Sequence, residues 1–337
     1  MTSVTPSTAD QAMNGVSDAV LDVRDLRVSY RIREGKVSAV NGVSFSLGRK
    51  EVLGLVGESG SGKSTIALSL LRLIKPPGTI EQGTVVLNGR NLLTLPEEEM
   101  RLVRLAELSM VAQGAMNSLN PVMRVREQIV DAWRDHDVDL RKGATDERIT
   151  DLMVRVGLRP EDARRYPHEL SGGMKQRAVI AIAISLRPSV IIADEPTSAL
   201  DVVVQRQIFD TLEQVQDEID ASVILIGHDM GLMAQSVDRL GVMYAGEIVE
   251  LSPVRDVFKD PLHPYSRLLI ASLPSLDQRG GQRGIPGMPP SLLKRPPGCP
   301  FQPRCPMATA ICTSEAPRLL PKRPNRLVAC HHVDAQL

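Results

Sequence analysis

Apolar and polar residues roughly alternate from Val20 to Ile32, Glu51–Val56 is an apolar run, and Thr84–Leu87 follows a glycine. All three predict strands, because a period of two puts alternate side chains on one face of a pleated chain. Residues 63–74 predict a helix. Between about 113 and 187 come several helical patterns separated by Pro and Gly, including Arg124–Trp133 and Asp146–Val156. The short continuous run Val190–Ala193 has the character of a strand buried on both faces, a helix follows from Val202, and Ser222–Ile226 repeats the strand pattern. Strands alternating with helices imply right-handed crossovers and a covered sheet, so the predicted class is α/β with an inserted helical subdomain. The sequence has no internal repeat.

Composition changes this picture at the two ends. The 337 residues suggest about two domains. The 40 basic and 40 acidic residues cancel, which removes a global electrostatic case for a nucleic-acid partner, and nine aromatic residues are too few for base-stacking platforms. The balance is uneven, however: residues 251–337 carry 12 basic and 5 acidic residues, a local +7 that leaves −7 for the first 250. The same stretch holds 15 of the 24 prolines and all four cysteines, which predicts a domain boundary near residue 255 and a Pro-rich segment, 256–337, with little core of its own. Residues 1–18, rich in Ser, Thr, Ala, Asp and Asn, are expected to be a disordered leader. The longest apolar run, Ala178–Ile184, is far short of the ~20 residues of a membrane span. No basic start precedes an apolar core, so the expectation is no signal peptide and a cytoplasmic address.

Between the second predicted strand and its helix, Gly57-Glu58-Ser59-Gly60-Ser61-Gly62-Lys63-Ser64 fits G-x-x-x-x-G-K-[ST]. Glycines let the backbone curl until successive N–H groups face one anion, at a helix start whose partial positive charge adds to the attraction. Lys63 would reach the β and γ phosphates of a nucleotide, and Ser64 would bind Mg²⁺. The run Val190–Ala193 ends in Asp194 and Glu195. A buried strand ending in acids must place them in a site, because an unpaired buried charge is costly. Asp194 is the candidate for holding Mg²⁺ through water, Glu195 for the general base that polarises the attacking water. Alone, Asp-Glu-Pro after a strand is more often a helix N-cap; the loop upstream reverses that in favour of the site.

With Leu170-Ser171-Gly172-Gly173-Met174-Lys175-Gln176-Arg177 the chain resembles the ATP-binding cassette ATPases, whose signature sequence this matches. The Ser-Gly-Gly turn opens the predicted helix Met174–Ser185 and offers N–H groups to an anion. The resemblance implies a P-loop nucleotide-binding domain over 19–255, with an antiparallel β subdomain and a helical subdomain at about 113–187. It also implies that Ser171, Gly172 and Gly173 contact the γ phosphate held by a partner subunit, so that a dimer sandwiches two ATP molecules. Gln113, ending the predicted strand Leu108–Ala112, resembles the glutamine that senses Mg²⁺ and couples to a transmembrane partner; His228, after Val223–Gly227, resembles the switch histidine. Ser198-Ala199-Leu200-Asp201 resembles the loop that crosses the dimer interface. Tyr30 resembles the aromatic that stacks on adenine, with a packed strand residue as the alternative. Thr65, following Ser64, completes the implied nucleotide set. Two positions depart from the family: Met174 stands where Gln is commonest, and Gly114 where Asp is expected.

The C-terminal stretch narrows the branch. Asp260-Pro261-Leu262-His263-Pro264-Tyr265, Ile285-Pro286-Gly287 and Gly298-Cys299-Pro300-Phe301-Gln302-Pro303-Arg304-Cys305-Pro306 resemble the oligopeptide and dipeptide importer ATPases, as do Glu58 and Ser118-Leu119-Asn120-Pro121. The resemblance implies a peripheral subunit at the cytoplasmic face of the inner membrane. It would pair with a second, non-identical ATPase and drive two permease subunits supplied by an extracytoplasmic binding protein. Peptide is the expected cargo; nickel or oligosaccharide importers, and soluble cassette ATPases, are the alternatives. Cys299, Cys305, Cys312 and Cys330 leave a [4Fe–4S] cluster, zinc or free thiols open on spacing alone, with His331 and His332 as further ligands. The resemblance favours the cluster, as a structural staple.

Overall fold

A computed structural model of the chain describes residues 19–114, 118–198, 200–273 and 284–333. The expected leader, 1–18, lies outside them. Numbered along the chain, the strands are β1 Ala19–Ile32, β2 Gly35–Gly48, β3 Val52–Val56, β4 Gly78–Leu87, β5 Arg90–Asn91 and β6 Leu108–Val111. They continue with β7 Val190–Asp194, β8 Ser222–Ile226, β9 Arg239–Tyr244, β10 Glu247–Pro253, β11 Leu320–Arg323 and β12 Arg326–Val328. The chain divides into two compact units. One takes in the chain to Gly48, Val52–Leu93 and everything from Gly227; the other is Arg49–Glu51 with Thr94–Ile226.

In the first unit β2-β1-β4-β5 form an antiparallel sheet. The alternation in β1 is only rough for a physical reason. Leu21 and Val23 are buried, and so are Leu26 and Val28, which have the opposite parity. A register shift between Val23 and Leu26, with Asp25 at φ 43°, inserts the extra residue that returns the apolar side chains to one face. On the neighbouring strand Gly83 sits at φ 119°, where a Cβ would stand 2.8 Å from Leu26 Cα. The bulge therefore requires a glycine beside it.

A mixed run of strands, β11-β12-β10-β9-β3, also belongs to this unit, with only β3 and β9 parallel within it. β9 and β10 make a hairpin through Ala245 and Gly246, both at positive φ (48° and 83°). The chain beyond residue 255 returns to pair with what precedes it: Leu327 and Val328 of β12 lie opposite Leu251 and Glu250 of β10. Glu250 is fully buried and accepts from the Leu262 and His263 N–H groups and from Arg326 Nη2 (3.1, 2.9 and 3.2 Å). The composition led us to expect little core in this stretch. Instead Tyr244, Tyr265 and Phe301 are buried with ring centroids 4.7 to 5.4 Å apart. Two of the rings come from the segment and the third, Tyr244, from β9 before it, so the segment gains its apolar area by packing on that strand.

In the second unit β8-β7-β6 are parallel, and every residue of β7 and β8 is buried, as their continuous apolar runs predicted. The helices are Glu97–Val103, Val125–Arg134, Lys142–Arg155, Gly172–Ile184 and Val202–Ile219. Asp146–Val156 was expected too short at its start, and Met174–Ser185 begins two residues earlier because Ser171 is the cap. In the first unit the helix after β3 ends at Leu70 rather than 74, where Arg72 turns to φ 52°.

Candidate functional site

The loop after β3 turns on three glycines. Gly57, Gly60 and Gly62 have φ of 150°, 78° and 100°. A Cβ on Gly57 would lie 2.2 Å from Met243 O, and one on Gly62 2.4 Å from Ala39 O. Gly62 is also the N-cap of the helix Lys63–Leu70, so no side chain covers the helix's first N–H groups. Lys63, only 7% exposed, folds its ammonium over the loop, donating to Gly57 O (2.8 Å) and Glu58 O (3.1 Å). Ser61 is buried, Ser64 and Thr65 are half-buried, and Ser59 and Gly60 are exposed. A curled backbone, a bare helix start and an inward-folded ammonium together form an anion cradle.

Glu58, inside the cradle, is held from the C-terminal segment. Its N–H donates to Tyr265 Oη at 3.0 Å, and its carboxylate takes both ends of the Arg304 guanidinium at 2.8 Å each. Arg304 also donates to Tyr244 Oη (3.1 Å) and to Ile285 O and Pro286 O. The fork keeps the Arg304 pKa above its ordinary value, and burial raises Tyr244 and Tyr265. Tyr30, half-buried on β1, lies across Gly78, where a Cβ would come within 2.6 Å of its ring.

In the second unit Asp194 ends β7 at 2% exposure. Glu195 follows at φ 45°, a strained conformation for a side chain of this size, with its N–H on Ile226 O at 2.9 Å. Its Oε2 accepts from Gln113 Nε2 at 2.7 Å, so two residues 82 positions apart are brought into contact. Ser171 caps the helix Gly172–Ile184 by accepting from Met174 N (3.3 Å), and Ser171 and Gly172 are exposed. Gly173 is pressed by Val204, whose Cγ1 would be 2.8 Å from a Cβ there. Val204 in turn donates its N–H to Asp201 Oδ1 (3.0 Å), the N-cap of Val202–Ile219. The first turn of one helix thus seats the glycine turn of the other. Ala199 lies outside the described residues. In the first unit His228 is exposed, next to Asp229, which caps the helix Met230–Ser236.

Two family models match: ABC transporter over residues 40–198, and the oligopeptide/dipeptide transporter C-terminal region over 249–312. Oligopeptide transport ATP-binding protein OppD of Escherichia coli K12 is 47% identical over 318 residues, covering 93% of each chain. Its counterpart from Salmonella typhimurium LT2 is 46% identical, covering 93% of this chain and 94% of that protein. The chain belongs to the oligopeptide/dipeptide branch of the ATP-binding cassette ATPases. Dipeptide transport ATP-binding protein DppD of Bacillus subtilis 168, at 41% identity over 317 residues, lies in the same branch. The dimeric bacterial cassette MJ0796 shares the fold, with a TM-score of 0.62 and 25% identity over 70% of this chain and 99% of that one.

In this transporter ATPase none of the four cysteines forms a disulfide. Burial pushes Cys299 up to about 11 and raises Cys305 and Cys330, with the neighbouring thiols adding to each shift. Cys312 Sγ lies 3.4 Å from His332 Nε2, and the His332 N–H points to Cys330 Sγ at 3.5 Å. Among the described residues, no group of three or more His, Cys, Asp or Glu side chains stands close enough to hold a metal ion. The donor set suits a soft metal, but the thiols do not form a closed cage. The sequence reading gave Arg304, Tyr244 and Tyr265 no role. The motif around Arg304 was visible, but its partnership with Glu58 spans 246 positions, and no local pattern encodes that.

Proposed function

We propose that this chain hydrolyses ATP to drive peptide uptake through separate permease subunits, and that ATP is taken by the Gly57–Thr65 cradle. The observation that carries the reading is that one relationship, at 46–47% identity, runs through both the cassette and its C-terminal segment. Lys63 and the bare helix start would hold the β and γ phosphates, Ser64 and Asp194 the Mg²⁺, and Tyr30 the adenine. Mg²⁺ held there would offset the negative charge of the phosphate oxygens. Glu195 would take the proton of the attacking water, oriented by its hydrogen bond from Gln113, which shares the metal-sensing role. His228 would contact the γ phosphate. Ser171, Gly172 and Gly173, with Asp201 beside them, would face the nucleotide of a second ATPase subunit, a non-identical paralogue. The chain would work at the cytoplasmic face of the membrane, with an extracytoplasmic binding protein upstream; among the described residues no helix is long and apolar enough to cross a bilayer.

The same reading gives Cys299, Cys305, Cys312 and Cys330 to a [4Fe–4S] cluster. What supports it is that the Cys299 N–H meets Cys312 O at 2.8 Å and that His332 contacts both Cys312 Sγ and Cys330 Sγ (3.4 and 3.5 Å), so the segment draws these positions together. The cluster would staple the segment and take no part in hydrolysis.

Glu195→Gln in the assembled complex should retain ATP and lower turnover by about 10²–10³-fold; unchanged turnover defeats the assignment of the base. Purification from the native membrane, with identification of partners and an iron assay on the same sample, tests the rest. Permease subunits and about four irons per chain are expected. A sample without permeases would reject the transport reading, and one without iron the cluster.

A further inference from the structure

An acidic side chain inside a phosphate cradle works against the cradle's purpose. Glu58 is the second residue of the loop, and its carboxylate charge would repel the phosphates that Lys63 and the helix start attract. It is met by a single guanidinium from far along the chain. Arg304 approaches in a two-pronged geometry at 2.8 Å on each oxygen, with its side chain 4% exposed and that of Glu58 25% exposed. Arg304 is itself seated firmly. Its N–H bonds Phe301 O (3.0 Å), its side chain reaches Pro286 O (2.8 Å), and Gly287 carries no Cβ, which would stand 3.3 Å from Arg304 Cγ. Tyr265 takes the Glu58 N–H, and Lys63 takes the Glu58 carbonyl. Both backbone groups of Glu58 are thereby committed within the protein, and the carboxylate is its remaining influence on a ligand.

We propose that Arg304 is a positioning residue for nucleotide binding that neutralises Glu58, making ATP affinity depend on a charge pair between the C-terminal segment and the phosphate loop. This rests on the reading of residues 57–64 as the phosphate site. A mere tether and a neutralising partner predict different signs. If the pair only held the loop in shape, losing either member would weaken ATP binding, and losing both would be no better. If Arg304 neutralises Glu58, Arg304→Ala leaves a bare carboxylate and weakens binding, whereas Glu58→Gln leaves a cation beside the phosphates and does not. Removing both charges then restores affinity.

The test is titration of the full-length chain with a fluorescent ATP derivative at two salt concentrations, with thermal melting of each variant. Lys63→Ala is included first: if it binds as the natural chain does, the phosphate-site reading itself fails. With that reading secure, Arg304→Ala should raise the Kd about tenfold at low salt and less at high salt. Arg304→Lys should recover most of the loss, Glu58→Gln should bind as tightly as the natural chain or tighter, and the double variant should return to within about twofold. The proposal is overturned if Glu58→Gln weakens binding as Arg304→Ala does, or if the double variant is as weak as Arg304→Ala. Should Arg304→Ala fail to fold, Glu58→Gln and Arg304→Lys still decide, since weakened binding by Glu58→Gln alone contradicts neutralisation.

Discussion

The phosphate loop and the signature turn are both glycine-rich starts of helices, yet they are finished in opposite ways. At the first, Gly62 caps the helix with no side chain, and the lysine beside it is 7% exposed. At the second, Ser171 covers the Met174 N–H with its own hydroxyl, and the turn is exposed. A helix start left bare within a curled loop is prepared for an anion that the chain holds itself. One that is already capped and exposed is complete as a piece of structure, and under the proposed function its glycines would meet a ligand arriving from another chain. On the proposed reading, glycine content alone does not separate a binding loop from a docking turn; the cap does.

The sharpest way to break this contrast is Lys63→Ala, which should lower ATP turnover by about 10²–10³-fold with little change in melting temperature; retained turnover would place the anion elsewhere. Next is Gly62→Ala. The substitution forces a Cβ toward Ala39 O at φ 100° and should cost about 3 kcal/mol in denaturant unfolding as well as ATP binding. A third helix start extends the series. His263 caps Pro264–Ala271 by accepting from Tyr265 N at 3.0 Å, and burial lowers its pKa from 6.5 to about 3. A histidine held neutral in the folded state contributes stability above pH 6.5, which is lost as the unfolded chain takes up the proton: about 2 kcal/mol by pH 5. His263→Asn should keep the cap and flatten that part of the pH profile. The smallest effect expected is Ser171→Ala, about 1 kcal/mol of stability with ATP binding by the single chain unchanged. A large loss of ATP binding there would erase the distinction between the two starts.

The sequence was readable where one short stretch contains its own cause. The phosphate loop, the acidic end of β7 and the parallel strands β7 and β8 each carry their pattern in a handful of residues. β2 and the β9–β10 hairpin were not foreseen. Gly42 interrupts β2, which begins and ends in glycine, and the hairpin turns on Ala245-Gly246 instead of the Asn-Gly or Asp-Gly pair that would mark it. The packing of Tyr265 and Phe301 on Tyr244 of β9 was hidden because proline content dominated the view of the segment after residue 255. The Gln113–Glu195 and Glu58–Arg304 contacts depend on distant segments meeting, so only the fold displays them.

The pairing of β12 against β10 has a consequence for how the chain could be shortened. A chain ending near residue 255 would leave β10 without its neighbour, a row of unpaired backbone groups open to any other strand, which is the template for edge-to-edge aggregation. It would also remove the groups that now answer the Glu250 carboxylate, Arg326 and two amides. The C-terminal segment thus serves as a solubility seal for the cassette, and such a truncated chain is expected in inclusion bodies.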